Sequence, residues 1–376
     1  MNYFLVGGAV RDILMGLEPK DRDWVVVDSD AETLLSMGYE QVGMGFPVFL
    51  HPETREEFAL ARREKKVGAG YTGFEFDTDE VTLMDDLSRR DLTINSMAFG
   101  IFDEMNDRTV IDYFGGMDDL RSKTLRHTTE AFRDDPLRVV RLARFFARYK
   151  EFTVASETMK LAAEMVDAGV LNELPDERFW LELSKAFSDG GTDRFFALLF
   201  ELGALHKVRF FQRLIGAQPV NIEKVMKLAR EFTAPLSGDR PEPFHPKQQA
   251  HMFAAALTRD PIGLFADLEA SHVFNALESI RALPESPTGL DTHDVISKMR
   301  GFSTENHTLE NTWKVLHNLE RVGEYLPLTA FNLKRAAYAA RRVTAQQFLD
   351  QGLQGRELGA AIATARVNVI IDRLHL

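Results

Sequence analysis

Two hydrophobic periods divide this chain. Over residues 1 to about 127, short apolar runs between glycines, prolines and charge clusters predict strands at Tyr3–Val6, Trp24–Asp28, Pro47–His51, Glu57–Arg62, Ala98–Phe102 and Thr109–Asp112. Alternation within Glu57–Arg62 puts Glu57 on one face with Ala59 and Ala61. Lys65 to Asp79 holds Gly68, Gly70 and Gly73 among charges and reads as a loop. From about residue 130 the three-and-four spacing of helices takes over, and no strand is predicted beyond it. Pro235, Pro241, Pro243 and Pro246 interrupt the helices, which resume over 247–282 and break again at Pro284 to Pro287. The fold class is α+β: a mixed sheet with helices, followed by an all-helical remainder.

The first predicted strand runs into Gly7-Gly8-Ala9-Val10-Arg11-Asp12, with a helix starting near Gly8. Glycines let a backbone approach a phosphate, and a helix N-terminus offers it free N–H groups. Ten residues on stand Asp21 and Asp23, at the start of the apolar run Trp24-Val25-Val26-Val27. Residues two apart in a strand face one side, so the two carboxylates repel unless a cation lies between them. Mg²⁺ bound by carboxylates and substrate phosphates answers that repulsion. A tight turn and a surface acidic pair are the alternatives for each motif alone, and Asp-x-Asp also serves sugar transferases. Together, in strand–turn–helix–strand order, the motifs point to nucleotidyl transfer.

Composition narrows the class. A chain of 376 residues with 45% hydrophobic and 27% charged residues is long enough for two or three domains with sizeable cores. No apolar stretch of membrane-spanning length occurs, and the N-terminus opens directly on a strand without an export signal. The absence of cysteine excludes disulfide partners, thiolate metal sites and cysteine nucleophiles, and fits a cytoplasmic location. A net charge of −12 does not exclude nucleic acid, because phosphate binding needs a local basic stripe.

Such stripes occur. Arg89-Arg90-Asp91 to Asn95 follows the acidic Met84–Leu87 segment, and these charges pair to hold a turn or stand as a solvated cluster. Ala330–Arg342 carries Lys334, Arg335, Arg341 and Arg342, either as a solvated helix face or as an RNA contact. Asp134-Asp135-Pro136 is a helix start, after which Arg138, Arg141 and Arg144 recur every three residues. From Asp135 to Arg144 this ladder climbs roughly 13 Å and rotates about half a turn, so Arg144 need not meet the ligand of Asp135. Stacked guanidiniums need anions nearby, supplied either by a triphosphate or by acids of the head.

These motifs, with Asp112-Tyr113-Phe114-Gly115-Gly116-Met117-Asp118-Asp119-Leu120, resemble in identity and order the class II tRNA nucleotidyltransferases. Those are the CCA-adding enzymes of the bacterial family that also includes poly(A) polymerases. The resemblance runs from residue 1 to about 200. It implies a nucleotidyltransferase palm over 1–127, a helical neck over 128–205 and a helical body and tail over 206–376 that grips tRNA. It implies template-independent addition of CCA to the tRNA 3′ end from CTP and ATP, with Mg²⁺ and release of pyrophosphate. Asp21 and Asp23 would hold the metal, with Glu57 a possible third carboxylate. Gly8 and Arg11 would contact phosphates, and Arg90 would brace the phosphate or sugar. Asp135 and Arg138 would read the base, and Arg141 and Arg144 would complete the nucleotide site. Where the family places Glu before that Asp, this chain has Asp134.

A carboxylate only accepts hydrogen bonds and a guanidinium only donates. Asp135 can therefore accept from the exocyclic amine of C or A while Arg138 donates to the adjacent ring nitrogen. G and U reverse both groups. Three alternatives stay open: a poly(A) polymerase, a partial CC- or A-adding enzyme, and a non-catalytic tRNA-binding protein. Poly(A) polymerases carry a basic run where this chain has Val42 to Pro52, which is similar to the CCA-adding version. Relatives with a His-Asp phosphohydrolase domain need a His…His-Asp…Asp set. This chain has Arg259-Asp260 at the corresponding place, and His293-Asp294 lacks partners, so no phosphohydrolase activity is expected.

Overall fold

The computed structural model describes residues 1–42, 48–66, 74–78, 80–100, 109–215, 221–233, 253, 336, 339–340 and 342–374. Residues 43–47 of the segment set against poly(A) polymerases, the proline-rich breaks, Arg259-Asp260, His293-Asp294 and Lys334, Arg335 and Arg341 lie outside the described residues.

The N-terminal part is a mixed seven-stranded sheet. Its strands are β1 (Asn2–Val6), β2 (Asp23–Val27), β3 (Glu40–Val42), β4 (Val48–Leu50), β5 (Glu57–Leu60), β8 (Met97–Gly100) and β9 (Val110–Asp112), in the order β3-β4-β5-β2-β1-β8-β9. β2 and β5 run parallel, and every other neighbour is antiparallel. The apolar run on β2 divides its side chains between the two faces of the sheet. Val25 and Val27 pack with Leu83 and Leu87 of α3 (Leu83–Ser88). Val26 faces the other way, onto Leu34 of α2 (Ala31–Ser36), Phe49 and Phe58. α1 (Gly8–Leu14) covers Leu5, Met97 and Phe99 through Ala9 and Val10.

Two expectations are corrected. The segment read as a loop, Lys65 to Asp79, carries the end of β6 (Arg63–Lys66) and the whole of β7 (Phe74–Asp77), an antiparallel pair whose charges hide its strand character. The part read as strand-free contains β11 (Thr153–Val154), which pairs in parallel with β10 (Thr124–Leu125). Two residues are too few to show a period of two.

Asp112 caps the short α4 (Gly116–Arg121), accepting from the backbone N–H groups of Gly116 and Met117, both at 2.9 Å. A Cβ on Gly116 would lie 2.3 Å from the Thr93 carbonyl oxygen, so only glycine lets α4 sit against the turn Thr93–Asn95. Much of the Asp112–Leu120 motif is thus a packing device.

Helices follow: α5 (Leu137–Arg148), α6 (Ser156–Asp167), α7 (Asp176–Asp189), α8 (Thr192–Glu201), α9 (Ala204–Lys207), α10 (Arg209–Ile215) and α11 (Ile222–Thr233), with later helices at Gln346–Leu349 and Gly355–Leu374. One compact unit comprises Met1–Glu182 with Leu198–Val208; the other comprises Leu183–Ala197 with Arg209–Leu376. Among the described residues no helix is long and apolar enough to cross a membrane.

Candidate active site

The register of the sheet builds one end of the site. Val6, the last residue of β1, pairs with Asp23, the first of β2, and Asp23 pairs with Glu57, the first of β5. Opposed residues share a face, so Asp23 and Glu57 stand side by side just where the chain leaves β1 through Gly7 and Gly8. A cleft of about 280 Å³ opens there, walled by Asp23, Trp24, Glu57, Arg62, Arg89 and Arg90.

Asp23 is reached by solvent at the mouth of this cleft, yet its pocketed position is the main influence on its acidity and raises it above the ordinary carboxylate value. The Arg90 guanidinium opposes the rise, and the Asp21 charge adds to it. Asp21 and Asp23 are therefore close enough to feel each other. Among the described residues the carboxylate of neither has a hydrogen-bond or ion-pair partner. Nor do the described residues contain a cluster of three His, Asp or Glu set to hold a metal. Two unpaired, mutually repelling hard-oxygen ligands beside an arginine-lined cleft suit a divalent cation that takes its remaining ligands from a phosphate.

Arg90 gives its Nε and Nη2 to Asp86 Oδ2 at 3.3 and 3.1 Å. Its Nη1 stands 2.8 Å from where a Cβ on Gly7 would be. Gly7 also has φ 71° and ψ −129°, a conformation that favours glycine. The double glycine thus admits an arginine tip over the turn. Gly8 opens α1 at the same place, with Arg11 Nη2 3.4 Å from its would-be Cβ.

Arg11 itself points inward and is 4% exposed. It donates to Asp12 at 2.8 and 2.9 Å and to Asn95, and its guanidinium lies over Phe145 and Tyr149 at 5.6 and 5.5 Å. It braces the turn against α5.

The second group of expected residues sits on α5. Asp135 Oδ1 accepts from the Leu137 N–H at 3.0 Å, so it caps this helix, as its position before Pro136 suggests. Both its oxygens also face Arg178 of α7 at 3.5 Å. Arg138 is buried and donates to the backbone carbonyls of Ala131 and Arg89. Arg141 meets Asp91 through Nε at 2.8 Å and Nη2 at 2.6 Å. Arg144 meets the buried Glu182 at 2.5 Å. Of the two anion sources open to the ladder, an acid of residues 1–127 serves Arg141, while Arg144 takes the carboxylate of Glu182 on α7, which neither alternative named.

The consecutive residues Arg89, Arg90 and Asp91 join both groups. The Arg90 side chain bears on Asp23, the Arg89 carbonyl accepts from Arg138, and Asp91 holds Arg141. Burial raises the Asp91 carboxyl, but Arg141, the Asn95 amide and the Leu92 N–H outweigh it and hold the group well below the usual carboxylate range. Asn95 closes the circuit, donating to Asp91 at 2.9 Å while accepting from Arg11. Arg178 and Glu182 escaped the sequence reading. The only local signal was their opposite charge at four-residue spacing on a helix, which elsewhere marks a surface pair.

Residues 3–126 match the family described as Poly A polymerase head domain, and residues 151–209 match the one described as Probable RNA and SrmB-binding site of polymerase A. Over its whole length and the whole of the relative, the chain is 40% identical to the CCA-adding enzyme of Marinobacter nauticus. This chain belongs to the CCA-adding enzyme family. Within that family it is 53% identical to the Multifunctional CCA protein of Haemophilus influenzae over 208 residues, which cover 54% of the chain and 49% of that protein. A solved tRNA nucleotidyltransferase, complexed with a primer tRNA and an incoming ATP analogue, is 25% identical with a TM-score of 0.52 and matches 90% of this chain and 93% of its own.

Proposed function

We propose that this chain adds CCA to the 3′ end of tRNA from CTP and ATP without a nucleic-acid template, releasing pyrophosphate. The observation that carries the reading is Asp23, with the Asp21 charge close enough to act on it, standing in one cleft with Arg90. Mg²⁺ held by Asp21 and Asp23 would neutralise triphosphate charge and make the tRNA 3′-hydroxyl a better nucleophile. The 3′ oxygen attacks the α-phosphorus in line, and no protein nucleophile is required.

The side chains then divide the labour. Arg90 and the backbone at Gly8 receive phosphates, and Glu57 adds a third negative group beside Asp23. Asp135 and Arg138 select C and A, Asp135 accepting from the exocyclic amine as Arg138 donates to the ring. Arg11, Arg141 and Arg144 act one step back: bound to Asn95, Asp91 and Glu182, they keep the turn and α5 in place. Residues 1–127 serve as the palm, 128–205 as the neck and 206–376 as the tRNA-gripping body and tail, and the enzyme works in the cytoplasm.

Incubation with tRNA ending before CCA, supplying CTP alone, ATP alone and then both, tests the reading. Two added residues with CTP alone, and completion only with ATP, are expected. Long tails from ATP alone would assign a poly(A) polymerase instead, and no incorporation would leave only a tRNA-binding role.

A further inference from the structure

Asp86 is a buried charged group in this neighbourhood that the proposed chemistry does not use. It lies in the last turn of α3 and is 0% exposed. Burial works against its charge, but Arg90 and Arg89 more than compensate and hold its carboxyl below the ordinary range. An ionised carboxylate without solvent is retained only with well-formed partners. Its partners are specific in geometry. Oδ1 accepts from Arg89 Nη2 at 2.5 Å, and Oδ2 accepts from Nε and Nη2 of Arg90 at 3.3 and 3.1 Å. The spacings of three and four residues bring both arginines back over one turn of helix.

A guanidinium is a rigid planar fork with more than one donor edge. Asp86 occupies the Nε–Nη2 edge of Arg90, which leaves Nη1 over Gly7, and Arg90 lines the cleft that holds Asp23. Arg89 lines the same cleft and is held a second time by the Arg62 carbonyl, which accepts from its Nε at 3.2 Å. One buried anion thus sets two cations, with a net charge of +1 for the three side chains, in the lining of the cleft that holds Asp23.

We propose that Asp86 is a positioning residue for the nucleotide's triphosphate: it clamps one edge of Arg90, with Arg89 alongside, so that the free edge is aimed at the phosphates over the Gly7–Gly8 turn. The proposal rests on the nucleotidyltransferase reading of the cleft. Asp86 touches no substrate and acts through Arg90.

Steady-state addition to tRNA by the full chain tests it, with KM for CTP, KM for ATP, KM for tRNA and kcat read separately for wild type, Asp86→Asn, Arg90→Ala and the double variant. Asp86→Asn is expected to raise both nucleotide KM values about tenfold, with KM for tRNA and kcat changed less than about threefold. On the Arg90→Ala background the same change is expected to add less than about twofold, because the arginine it positions is gone. A parallel rise in tRNA and nucleotide KM, a fall in kcat alone, or an undiminished effect without Arg90 would overturn the proposal. If Asp86→Asn does not fold, Asp86→Glu replaces it, keeping the charge but shifting the carboxylate by one methylene against Arg90. A rise of about threefold in nucleotide KM is then expected, and an unchanged value overturns the proposal. Normal nucleotide KM in Arg90→Ala would take down both the proposal and the Arg90 assignment beneath it. A raised KM in Arg90→Ala with none in Asp86→Asn would remove the Asp86 role alone.

Discussion

Gly7→Ala separates backbone strain from damage to the cleft. At φ 71° and ψ −129°, an alanine at this position costs about 1–3 kcal/mol of strain. Its Cβ would stand 2.8 Å from Arg90 Nη1, so the guanidinium must move. A free side-chain tip would yield cheaply. This one is tied by Nε and Nη2 to Asp86, and losing one such charged hydrogen bond costs about 1.5–3 kcal/mol. If part of each penalty relaxes, the variant should lose about 2–4 kcal/mol, or roughly 3–5 °C in thermal midpoint for a chain of 376 residues. Gly16→Ala is the control, because its φ is 73° but nothing lies within 4 Å of its would-be Cβ. It should cost about 1 kcal/mol and leave the nucleotide KM unchanged, whereas Gly7→Ala should raise that KM. The assay is urea unfolding with nucleotide-dependent addition to tRNA lacking CCA. Equal KM values for the two variants would refute the reasoning that Gly7 exists to admit Arg90.

Three other outcomes follow from the geometry. Asp23→Ala should abolish transfer while leaving tRNA affinity, measured by filter binding, intact; substantial turnover would contradict its role as a metal ligand. Glu182→Ala leaves the buried Arg144 without this carboxylate and should cost about 3–5 kcal/mol in urea unfolding, with a loss below about 1 kcal/mol contradicting the ion pair's importance. Because the folded-state pKa of Asp91 is depressed, its contribution to stability is present above the unfolded value near 3.9 and lost as pH falls below it toward the folded value. Asp91→Asn should therefore lose less stability than wild type between about pH 5 and pH 2, and an equal acid loss in both proteins would refute the assignment.

Much of the head was legible in the chain. The predicted strands at Tyr3, Trp24, Glu57 and Thr109 lie within a residue or two of those observed, because alternation and flanking glycines report a half-buried strand directly. The proximity of Asp21 to Asp23 was readable from their two-residue spacing, although Asp21 stands just before β2 and not on the strand face expected for it. What stayed hidden depends on pairing across distance. Asp91 and Arg141 are 50 residues apart, Arg144 and Glu182 are 38 apart, and no local period announces either bond. The ladder's spacing showed that anions were needed without showing whose. Charge likewise hid β6, since Arg63-Glu64-Lys65-Lys66 satisfies its backbone in a strand pair while its composition reads as loop.

Equilibrium binding of non-reacting CTP and UTP analogues with Mg²⁺ to wild type, Asp23→Ala and Asp135→Ala tests most directly whether one nucleotide spans the acidic couple and the α5 start. Asp23→Ala should weaken both analogues in proportion, keeping the preference for CTP, and Asp135→Ala should collapse that preference with less loss of affinity. A preference untouched by Asp135→Ala, or affinity untouched by Asp23→Ala, would mean the two groups do not meet on the same ligand.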